Sequence, residues 1–370
     1  MYEEIGSNFW LDRHDELEAK EISLDFLQIN IHDVAFLSTG RSAIAFLLEH
    51  IGLPKDKKVA LLPPFTCRTV IQPFMKAGYR VCHYGINEDL TCDADSLVES
   101  IEKNQPSIVL VHGYFGFDTL RSIKEVVLDM RSSGIVVIED ITHTMYSSFE
   151  HTESDYYVSS LRKWVALPDG ALAISTNRPF AYKPSRIDED LQEAKLQAFH
   201  AKYLYMCEGI GNKDEFLRRF GEAEQILCKQ ESIFAMSLIS KKIQANLRLD
   251  TLRKKRRENF KALVEHTRNL GTLEPIFDSL CEDITPLYFP VYIKQNRKEF
   301  QSYLAENNIY APILWPKPSE CAKAIPPTAD WVYQHILSIP CDQRYGLDDM
   351  QRIAETIMEF DSERLQVSEE

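Results

Sequence analysis

Residues 134–163 read GIVVIEDITHTMYSSFEHTESDYYVSSLRK, and this stretch decides the fold class of the chain. An apolar, β-branched run ends at the acidic pair Glu139 and Asp140, and a second strand-like run, YYVSSL, leads to Lys163. Short runs of this composition predict buried strands. In an open α/β sheet, ligands bind beyond the carboxyl ends of the strands, so Asp140 and Lys163 are predicted to lie near a ligand site.

Predicted strands and helices alternate in both directions from this stretch, from about residue 34 to residue 176. Five further strands are predicted to start near Val34, Lys58, Tyr79, Ser107 and Ala171. The segments between them, such as RSAIAFLLEHI and TVIQPFMKAG, place apolar residues three and four positions apart, as helices against a sheet do. The pattern predicts an α/β protein with a mostly parallel sheet that is covered on both faces.

The rest of the chain is predicted to contain a helical bridge followed by a smaller α/β segment. Residues 185–270 show long helical periodicity and few strand signals, as in AEQILCKQESIFAMSLISKKIQANL. Beyond them we expect strands within PLYFPVYI, YAPIL and HILSIPC, a helix near RKEFQSYLAENN, and a final helix after Leu347. We therefore divide the chain into a large domain (1–250, with the N-terminal segment and the bridge) and a small C-terminal α/β domain (251–370).

Composition excludes several classes of function. The chain of 370 residues has 56 acidic and 42 basic residues and a net charge of -14, which disfavours nucleic acids and anionic membranes as partners. The densest basic run, KKRR at 254–257, is expected to form a solvated helix face. Neither G-x-G-x-x-G nor G-x-x-x-x-G-K-[ST] occurs, so a dinucleotide or nucleoside triphosphate site has no direct support.

Targeting and cysteine patterns point to a reducing compartment. The sequence has no signal-peptide pattern and no segment of about 18 uninterrupted apolar residues, which predicts a cytoplasmic protein. The eight cysteines, at positions 67, 82, 92, 207, 228, 281, 321 and 341, form no C-x-x-C pair and no cluster at zinc spacing. We expect reduced thiols, most of them buried, and no metal site.

The segment STGRSAIAFLL, residues 38–48, is the first of three candidate parts of a site. A strand ends in small residues there and a helix begins at once. Free N–H groups at a helix start, together with the hydroxyl of Thr39 or Ser42, can hold a phosphate. An ordinary helix N-cap accounts for the same residues, and for this segment alone it is the simpler interpretation.

The second candidate is VVIEDITHTM, where Asp140 ends an otherwise apolar strand. A carboxylate in such a position needs a partner, because an unpaired buried charge is unfavourable. Asp140 either pairs with a cation such as a protonated ring nitrogen of a ligand, or it caps the next helix. His143 either reaches the same ligand or is a satisfied core histidine.

The third candidate is the strand that ends in SSLRKW. Apolar neighbours of Lys163 can lower its pKa by desolvation, which makes the amine a usable nucleophile. Ser159 and Ser160 can donate hydroxyls to a phosphate, and Arg162 is either a phosphate contact or a surface residue. A solvated Arg-Lys pair at a turn remains the alternative.

Taken in order, these segments resemble the DegT/DnrJ/EryC1/StrS family of aminotransferases. The resemblance rests on STGRSAI, PPFTCRTVIQPFMKAGY, VLVHGYFGFDT, VVIEDITH, and SSLRKW followed by PDGALAIST, and it runs from about residue 30 to residue 345. It implies a pyridoxal-phosphate-dependent enzyme with the aspartate-aminotransferase (fold type I) architecture. That fold has a large domain with a mostly parallel mixed sheet and a smaller C-terminal α/β domain.

The resemblance also implies roles for individual residues. Lys163 would form the Schiff base with pyridoxal 5'-phosphate and move a proton during the reaction, while Asp140 would hold the charged ring nitrogen. His143 would lie at the phenolic oxygen of the ring. The remaining cofactor contacts that it implies are Thr39, Gly40, Arg41, Ser42, Cys67, Ser159 and Ser160.

The chain departs from the family pattern at several positions. Cys67 stands where members often carry an aromatic residue that stacks on the ring, and Phe65 or Thr66 are alternatives for that contact. Val158 stands where a serine is expected five residues before Lys163, and Gly170 is followed by alanine rather than by a second glycine. These departures indicate a divergent subgroup.

By resemblance, the enzyme would transfer an amino group from an amino acid such as glutamate to a keto-sugar, in particular a nucleotide-linked one. A homodimer with shared active sites is implied as well. Arg68, Tyr114 and Arg344 are candidates for substrate contact, with structural roles as the favoured alternative.

Other functions remain open. A lyase or aldolase would use the same cofactor, but dehydratase relatives carry a histidine in place of the lysine, so Lys163 argues against a dehydratase. A cofactor-binding regulator without catalysis and a sheet domain without any cofactor are the remaining alternatives.

Overall fold

We describe a computed structural model of the chain, which covers residues 4–11, 17–18, 20–268, 270–320 and 324–367. The strands in these ranges are β1 (Ile5–Gly6), β2 (Asp33–Leu37), β3 (Val59–Leu62), β4 (Arg80–His83), β5 (Ile108–His112), β6 (Val136–Asp140), β7 (Tyr156–Ser160), β8 (Ala171–Ser175), β9 (Leu273–Pro275), β10 (Phe289–Ile293), β11 (Ile309–Tyr310) and β12 (Ile336–Ile339).

The α-helices in the same ranges are α1 (Gly40–Ile51), α2 (Arg68–Lys76), α3 (Ala94–Asn104), α4 (Lys124–Ser132), α5 (Glu189–Tyr203), α6 (Lys213–Lys229), α7 (Leu238–Ala245), α8 (Leu249–Thr267), α9 (Arg297–Glu306), α10 (Pro327–His335) and α11 (Leu347–Val367). Short 3-10 turns occur at 25–27, 55–57, 121–123 and 161–163, and a π-helical turn follows α5 at 204–208.

The central sheet has seven strands in the order β2-β8-β7-β6-β5-β3-β4. Strands β3 to β7 pair in parallel, and β8 is antiparallel to both of its neighbours, β2 and β7. All seven strands that the sequence predicts for this region are present. The prediction of a mostly parallel mixed sheet is therefore confirmed.

Alternate residues of each strand face opposite sides of this sheet, as the pleat requires. Leu110 and Ile138 belong to one apolar cluster with residues of α1 and α2. Val109 and Val137, their neighbours in sequence, belong to another cluster with residues of α3, α4 and the C-terminal segment. The sheet is covered on both faces, which explains why its strands are almost wholly apolar.

Strand register brings the polar strand ends together. His112 at the end of β5 pairs with Asp140 at the end of β6, and Asp140 pairs with Val158 of β7. On the other side of β7, Ser160 pairs with Ala171 of β8, and Ala171 pairs with Leu37 at the end of β2. The predicted site residues on separate strands therefore meet at one edge of the sheet.

The predicted helical bridge is present as α5 to α8, with one correction. The stretch AEQILCKQESIFAMSLISKKIQANL was expected to be helical throughout, but residues 230–237 are extended. Phe234 accepts a hydrogen bond from Ser38 N (2.9 Å), and Met236 N donates to Phe36 O (3.1 Å). This segment runs beside β2, because an edge strand gains from pairing of its backbone groups.

The C-terminal part contains a second sheet in the order β12-β10-β9. The strands predicted within PLYFPVYI and HILSIPC and both predicted helices are present, but YAPIL is a strand only at Tyr310, the end of β11, and β1, β9 and α10 were not predicted. Ile5 of β1 pairs in parallel with Ile309 of β11, so the N-terminal segment contacts this C-terminal part. The division of the chain near residue 250 stays a prediction.

The basic run at 254–257 is not wholly solvated, which corrects the expectation for it. Arg256 is buried, and its guanidinium donates to Leu287 O and to Gln343 Oε1, both at 2.7 Å. Arg257 donates to Cys281 O and Ile284 O. Only the first half of the run lies at the surface.

The cysteine prediction holds in part. The seven cysteines of the described ranges are free thiols, but only Cys92 and Cys341 are buried, so the expectation that most are buried is wrong. Cys321 lies outside the described residues. In the ranges described, no helix is both long and apolar enough to cross a membrane.

Lys202 of α5 fastens the N-terminal segment to the bridge. Its ammonium donates to Asn8 O at 2.7 Å and lies 5.4 Å from the centre of the Trp10 ring. Burial, together with the nearby charge of Arg344, lowers the pKa of Lys202 to about 7. The buried amine is thus held near its point of titration at neutral pH.

We expect this lysine to make stability depend on pH. Between pH 7 and 10 the unfolded chain binds a proton at Lys202 that the folded chain lacks, so the free energy of unfolding rises with pH. The slope is at most about 1.4 kcal/mol per pH unit. Urea unfolding at pH 7, 8 and 9 should show this slope in the wild type and a smaller one in Lys202→Met. Exposed Lys254→Met serves as the control, and equal slopes in all three proteins would contradict the assignment.

Candidate active site

A cavity of about 400 Å³ lies where β2, β5, β6 and β7 end. Nine of the ten predicted site residues line it: Thr39, Gly40, Arg41, Cys67, Asp140, His143, Ser159, Ser160 and Lys163. The tenth, Ser42, does not. The segments that the sequence singled out therefore share one cavity.

Lys163 ends the 3-10 turn 161–163 that follows β7. Its side chain reaches solvent through the cavity, and its ammonium has no hydrogen-bond or ion-pair partner among the residues that the structure describes. Burial within the cleft, reinforced by the charge of Arg162, lowers the pKa of Lys163. A lower pKa increases the fraction of neutral amine, which is the nucleophilic form.

Asp140 is buried at the end of β6. Its Oδ1 accepts a hydrogen bond from Thr142 N at 2.9 Å, and its Oδ2 lies 3.5 Å from Nδ1 of His112. Burial by itself would raise the pKa of Asp140, but His112 and Thr142 outweigh it and lower that pKa below its usual value. Asp140 binds the backbone of the turn after β6, but residues 141–155 contain no helix, so the alternative that it caps the next helix is wrong; its ionised carboxylate lines the cavity.

His143 lies flat against the indole of Trp315, with ring centres 5.0 Å apart and an angle of 16°. Its Nδ1 accepts a weak hydrogen bond from Phe115 N at 3.4 Å. Burial, together with the charges of His112 and Lys163, lowers the pKa of His143 well below its ordinary value. The ring is therefore neutral, with its proton on Nε2 as a hydrogen-bond donor.

Thr142 joins the loop after Asp140 to the turn that carries Lys163. Its Oγ1 accepts from Ser160 N at 3.0 Å, and its carbonyl oxygen accepts from Trp164 Nε1 at 2.8 Å. These two contacts lie on either side of Lys163 in sequence. They fix the position of the lysine turn relative to the aspartate.

Trp164 is in turn held by residues from the C-terminal half. The guanidinium of Arg256 lies 4.7 Å from the centre of the Trp164 ring, and Gln343 Nε2 donates to Trp164 O at 2.7 Å. Arg256 also donates to Gln343 at 2.7 Å. The buried arginine of the basic run therefore supports the turn that carries Lys163.

The opposite side of the cavity suits an oxyanion. Thr39 is the N-cap of α1 and accepts from Ser42 N at 3.0 Å, while the two hydroxyls lie 2.8 Å apart. This bond turns Ser42 away from the cavity and shows that the ordinary N-cap is real. The N–H groups at the start of α1 lack helical partners and face the cavity.

Two further features complete this site, an oxyanion cradle formed by the start of α1 and by Ser159. A Cβ atom at Gly40 would lie only 3.3 Å from Cβ of Ser160, so the glycine allows α1 to approach β7 closely. The buried hydroxyl of Ser159 has no hydrogen-bond partner within the described part of the chain. A free hydroxyl beside free helix N–H groups fits a phosphate.

Cys67 lines the cavity, whereas neither alternative for the ring contact does. Phe65 is buried against Trp315, with ring centres 4.9 Å apart. Thr66 is also buried, and its N–H donates to Tyr333 Oη at 2.9 Å. Trp315, which packs on both Phe65 and His143, is among the aromatic residues that do line the cavity.

Sequence reasoning missed His112 and Trp315. His112 ends the apolar run SIVLVH, which is the same signal that identified Asp140, so it was available in the sequence. Trp315 lies in an irregular segment far from the other site residues, and no local pattern indicates it.

The three candidates for substrate contact have structural roles, as favoured. Arg344 makes two hydrogen bonds of 2.8 Å to Asp342 and one of 3.0 Å to Asn8 O. Tyr114 Oη donates to Phe65 O at 2.6 Å. Arg68 pairs with Glu320.

The sequence model of the DegT/DnrJ/EryC1/StrS aminotransferase family matches residues 6–155, which confirms the resemblance found in the motifs. A comparison with curated proteins finds no significant match. Solved structures are similar over nearly the whole chain. Helicobacter pylori PseC, an aminotransferase involved in the biosynthesis of pseudoaminic acid, superposes with a TM-score of 0.71 at 16% identity, covering 97% of this chain and 100% of PseC.

Two further structures agree on the fold. The sugar aminotransferase CalS13 from Micromonospora echinospora has a TM-score of 0.63 at 18% identity and covers 89% of this chain and 88% of its own. Spr1654 from Streptococcus pneumoniae, in its PMP form, has a TM-score of 0.68 at 13% identity, with 95% of this chain and 94% of its own covered. At such low identity the likeness shows the architecture, and the predicted fold type I is confirmed.

We expect Thr142→Val to destabilise the protein. The substitution leaves the buried N–H of Ser160 without its acceptor, which lowers the free energy of unfolding by about 1–3 kcal/mol. Thr144→Val is the matched control, because the Thr144 hydroxyl is buried in the same loop and has no partner among the described residues. Urea unfolding of both variants measures the difference. Equal losses would show that the Thr142 contact is not stabilising.

Proposed function

Because residues 6–155 match the DegT/DnrJ/EryC1/StrS aminotransferase family, we propose that the chain is a pyridoxal-phosphate-dependent aminotransferase acting on a keto-sugar. One observation supports this most directly. An amine with a lowered pKa, Lys163, and a carboxylate with a lowered pKa, Asp140, line the same cavity as the oxyanion cradle. A pyridine aldehyde that carries a phosphate needs these three features together.

The residues present fit this cofactor. Asp140 would hold the ring nitrogen, His143 would donate from Nε2 to the phenolic oxygen, and Lys163 would hold the aldehyde carbon. The start of α1 and the free hydroxyl of Ser159 would bind the phosphate. When bound, the cofactor supplies an electron sink for the charge that develops on the substrate carbon.

The chemical work of the protein then falls to two groups. Asp140 stays ionised because of His112 and Thr142, and its negative charge keeps a proton on the ring nitrogen. Lys163, as a neutral amine, accepts the proton from the substrate carbon and returns it at a neighbouring position. Thr142 fixes the geometry between them through its bonds to Ser160 and Trp164.

A second cavity of about 600 Å³ offers room for a large acceptor. It meets the first cavity at Ser7, Asn8, Lys163 and Tyr288. Its wall includes hydrogen-bonding side chains of Gln301, Ser302 and Tyr310, and its charged groups Asp342 and Arg344 pair with each other. Apart from Lys163, which it shares with the first cavity, this wall has no unpaired charge among its lining residues. Such a polar wall suits a sugar, in line with the sugar aminotransferase CalS13 among the similar structures.

We further propose glutamate as the donor, a nucleotide-linked keto-sugar as the acceptor, and a homodimer with shared active sites. These details come from the family resemblance, and the cytoplasmic location stays a prediction from the sequence. The response to glutamate distinguishes an aminotransferase from the alternatives, which are a lyase, an aldolase and a regulator that binds the cofactor without turnover.

Lys163→Ala should abolish the response to glutamate. The wild type is expected to bind the cofactor with visible absorbance, to lose that absorbance with glutamate, and to release 2-oxoglutarate. Removing the amine should slow this half-reaction by about 10²- to 10⁴-fold, since the variant lacks the proton-transferring group. Stopped-flow absorbance and assay of 2-oxoglutarate measure it.

Lys195→Ala is the control for this experiment, because Lys195 lies on the same cavity wall but is paired with Glu224. It should keep the spectral change. An unaltered response in Lys163→Ala would refute the aminotransferase assignment, and absorbance that no amino donor changes in the wild type would favour the regulator.

Filling the second cavity should impair acceptor binding alone. Ser302→Trp places a large ring in its wall, so KM for a UDP-linked keto-hexose should rise at least about tenfold. The half-reaction with glutamate should be unaffected. Lys298→Trp, on the exposed side of α9, is the matched control. Equal KM values in both variants would show that the acceptor binds elsewhere.

A further inference from the structure

Arg162 differs from the paired cations that line the cavity. Arg41 donates to Leu227 O at 2.5 Å and Lys195 pairs with Glu224, while Lys163 is the amine already assigned to the aldehyde carbon. Arg162 makes no hydrogen bond or ion pair with any residue that the structure describes. It is the unpaired guanidinium of the site.

The position of Arg162 makes this lack of partners unfavourable. The side chain is mostly buried, and its Nε atom is inaccessible to solvent. Burial lowers the pKa of Arg162, but an arginine stays charged in a protein. The side chain therefore cannot lose its proton to avoid the free-energy cost of a buried charge. A buried unpaired charge destabilises a protein unless a ligand of opposite charge compensates for it.

No neighbouring carboxylate is free to serve as that partner. Glu224 and Asp169 are the acidic groups whose charges act on Arg162. Glu224 is paired with Lys195, and Asp169 accepts from the hydroxyl of Ser237 at 2.8 Å and from its N–H at 3.0 Å. The guanidinium is therefore available to an anion that enters the cavity.

The location of Arg162 indicates which anion. It lies two residues beyond Ser160, whose Cβ is in close contact with the start of α1 at Gly40. The charge of Arg41, the second residue of α1, also acts on Arg162. Arg162 also lines the same cavity as Gly40 and Ser159, so its guanidinium shares that cavity with the oxyanion cradle formed by α1 and Ser159.

We propose that Arg162 binds the phosphate of pyridoxal 5'-phosphate, together with the N–H groups at the start of α1 and the Ser159 hydroxyl. Arginine suits this role because its planar fork forms two hydrogen bonds to a phosphate. The inference rests on the proposed function. It implies that each chain supplies its own permanent positive charge to the phosphate.

The test compares two aldehydes that differ only in the phosphate. Cofactor-free wild type, Arg162→Met and Arg162→Lys are titrated with pyridoxal 5'-phosphate and with pyridoxal, and absorbance gives each Kd. Arg162→Met should weaken binding of the phosphorylated aldehyde about 10- to 100-fold and leave pyridoxal unchanged. Arg162→Lys should recover part of the loss. Lys254→Met, which removes an exposed cation that does not line the cavity, should keep the wild-type ratio of the two Kd values.

Two outcomes overturn the assignment. An unchanged ratio in Arg162→Met excludes a phosphate contact. An unchanged ratio with weaker binding of glutamate assigns Arg162 to the donor carboxylate instead. Removal of an unpaired buried charge should not impair folding, and urea unfolding checks this, with Arg162→Gln as a second variant.

Failure of the proposed function has a different signature. If the wild type binds no pyridoxal 5'-phosphate, calorimetry with inorganic phosphate still tests the anion site. Binding of phosphate by the wild type and its loss in Arg162→Met would then support the site while refuting the cofactor. Equal phosphate binding in both proteins would refute the site itself.

Discussion

The hydrogen bonds of Thr142 are the constraint on which the site depends. Strand register alone brings Asp140 beside His112 and Val158, but Lys163 lies beyond the end of β7 in a short turn. Thr142 ties that turn to the aspartate loop through one contact before the lysine and one after it. Each contact joins one side-chain atom to one backbone atom, Thr142 Oγ1 to Ser160 N and Trp164 Nε1 to Thr142 O, so both side chains must keep their rotamers for the tie to hold. Arg256 and Gln343 then secure the turn from the C-terminal half.

The two ionisable groups of the site, Lys163 and Asp140, have pKa values that burial alone would shift in opposite directions. Burial lowers the pKa of Lys163 and would raise that of Asp140, yet His112 reverses the second effect. The result is an amine with a lowered pKa and a carboxylate that stays ionised within one cavity. His143 stays neutral between them and so can donate without adding charge.

The features that could be predicted from the sequence are those that depend on residues close together in the chain. Strand ends and their polar residues were found because periodicity and burial are visible over five to ten residues, which is how Asp140 and Lys163 were identified. Arg256 was assigned to the surface because its partners, Trp164 and Gln343, are distant in sequence. Trp315 was missed for the same reason. Residues 230–237 keep a helical periodicity but gain more from backbone pairing with β2, and pairing across a sheet edge leaves no local signal.

The extended segment beside β2 has a consequence for self-association. Open strand edges present unpaired backbone groups that can recruit another chain. Phe234 and Met236 occupy the backbone groups of β2 next to the cavity. At the far side of the sheet, β4 is only four residues long and begins with the exposed cation of Arg80. One edge of the sheet is thus covered by the chain itself and the other is short and charged, which leaves the folded protein little free edge for a strand of another chain to pair with.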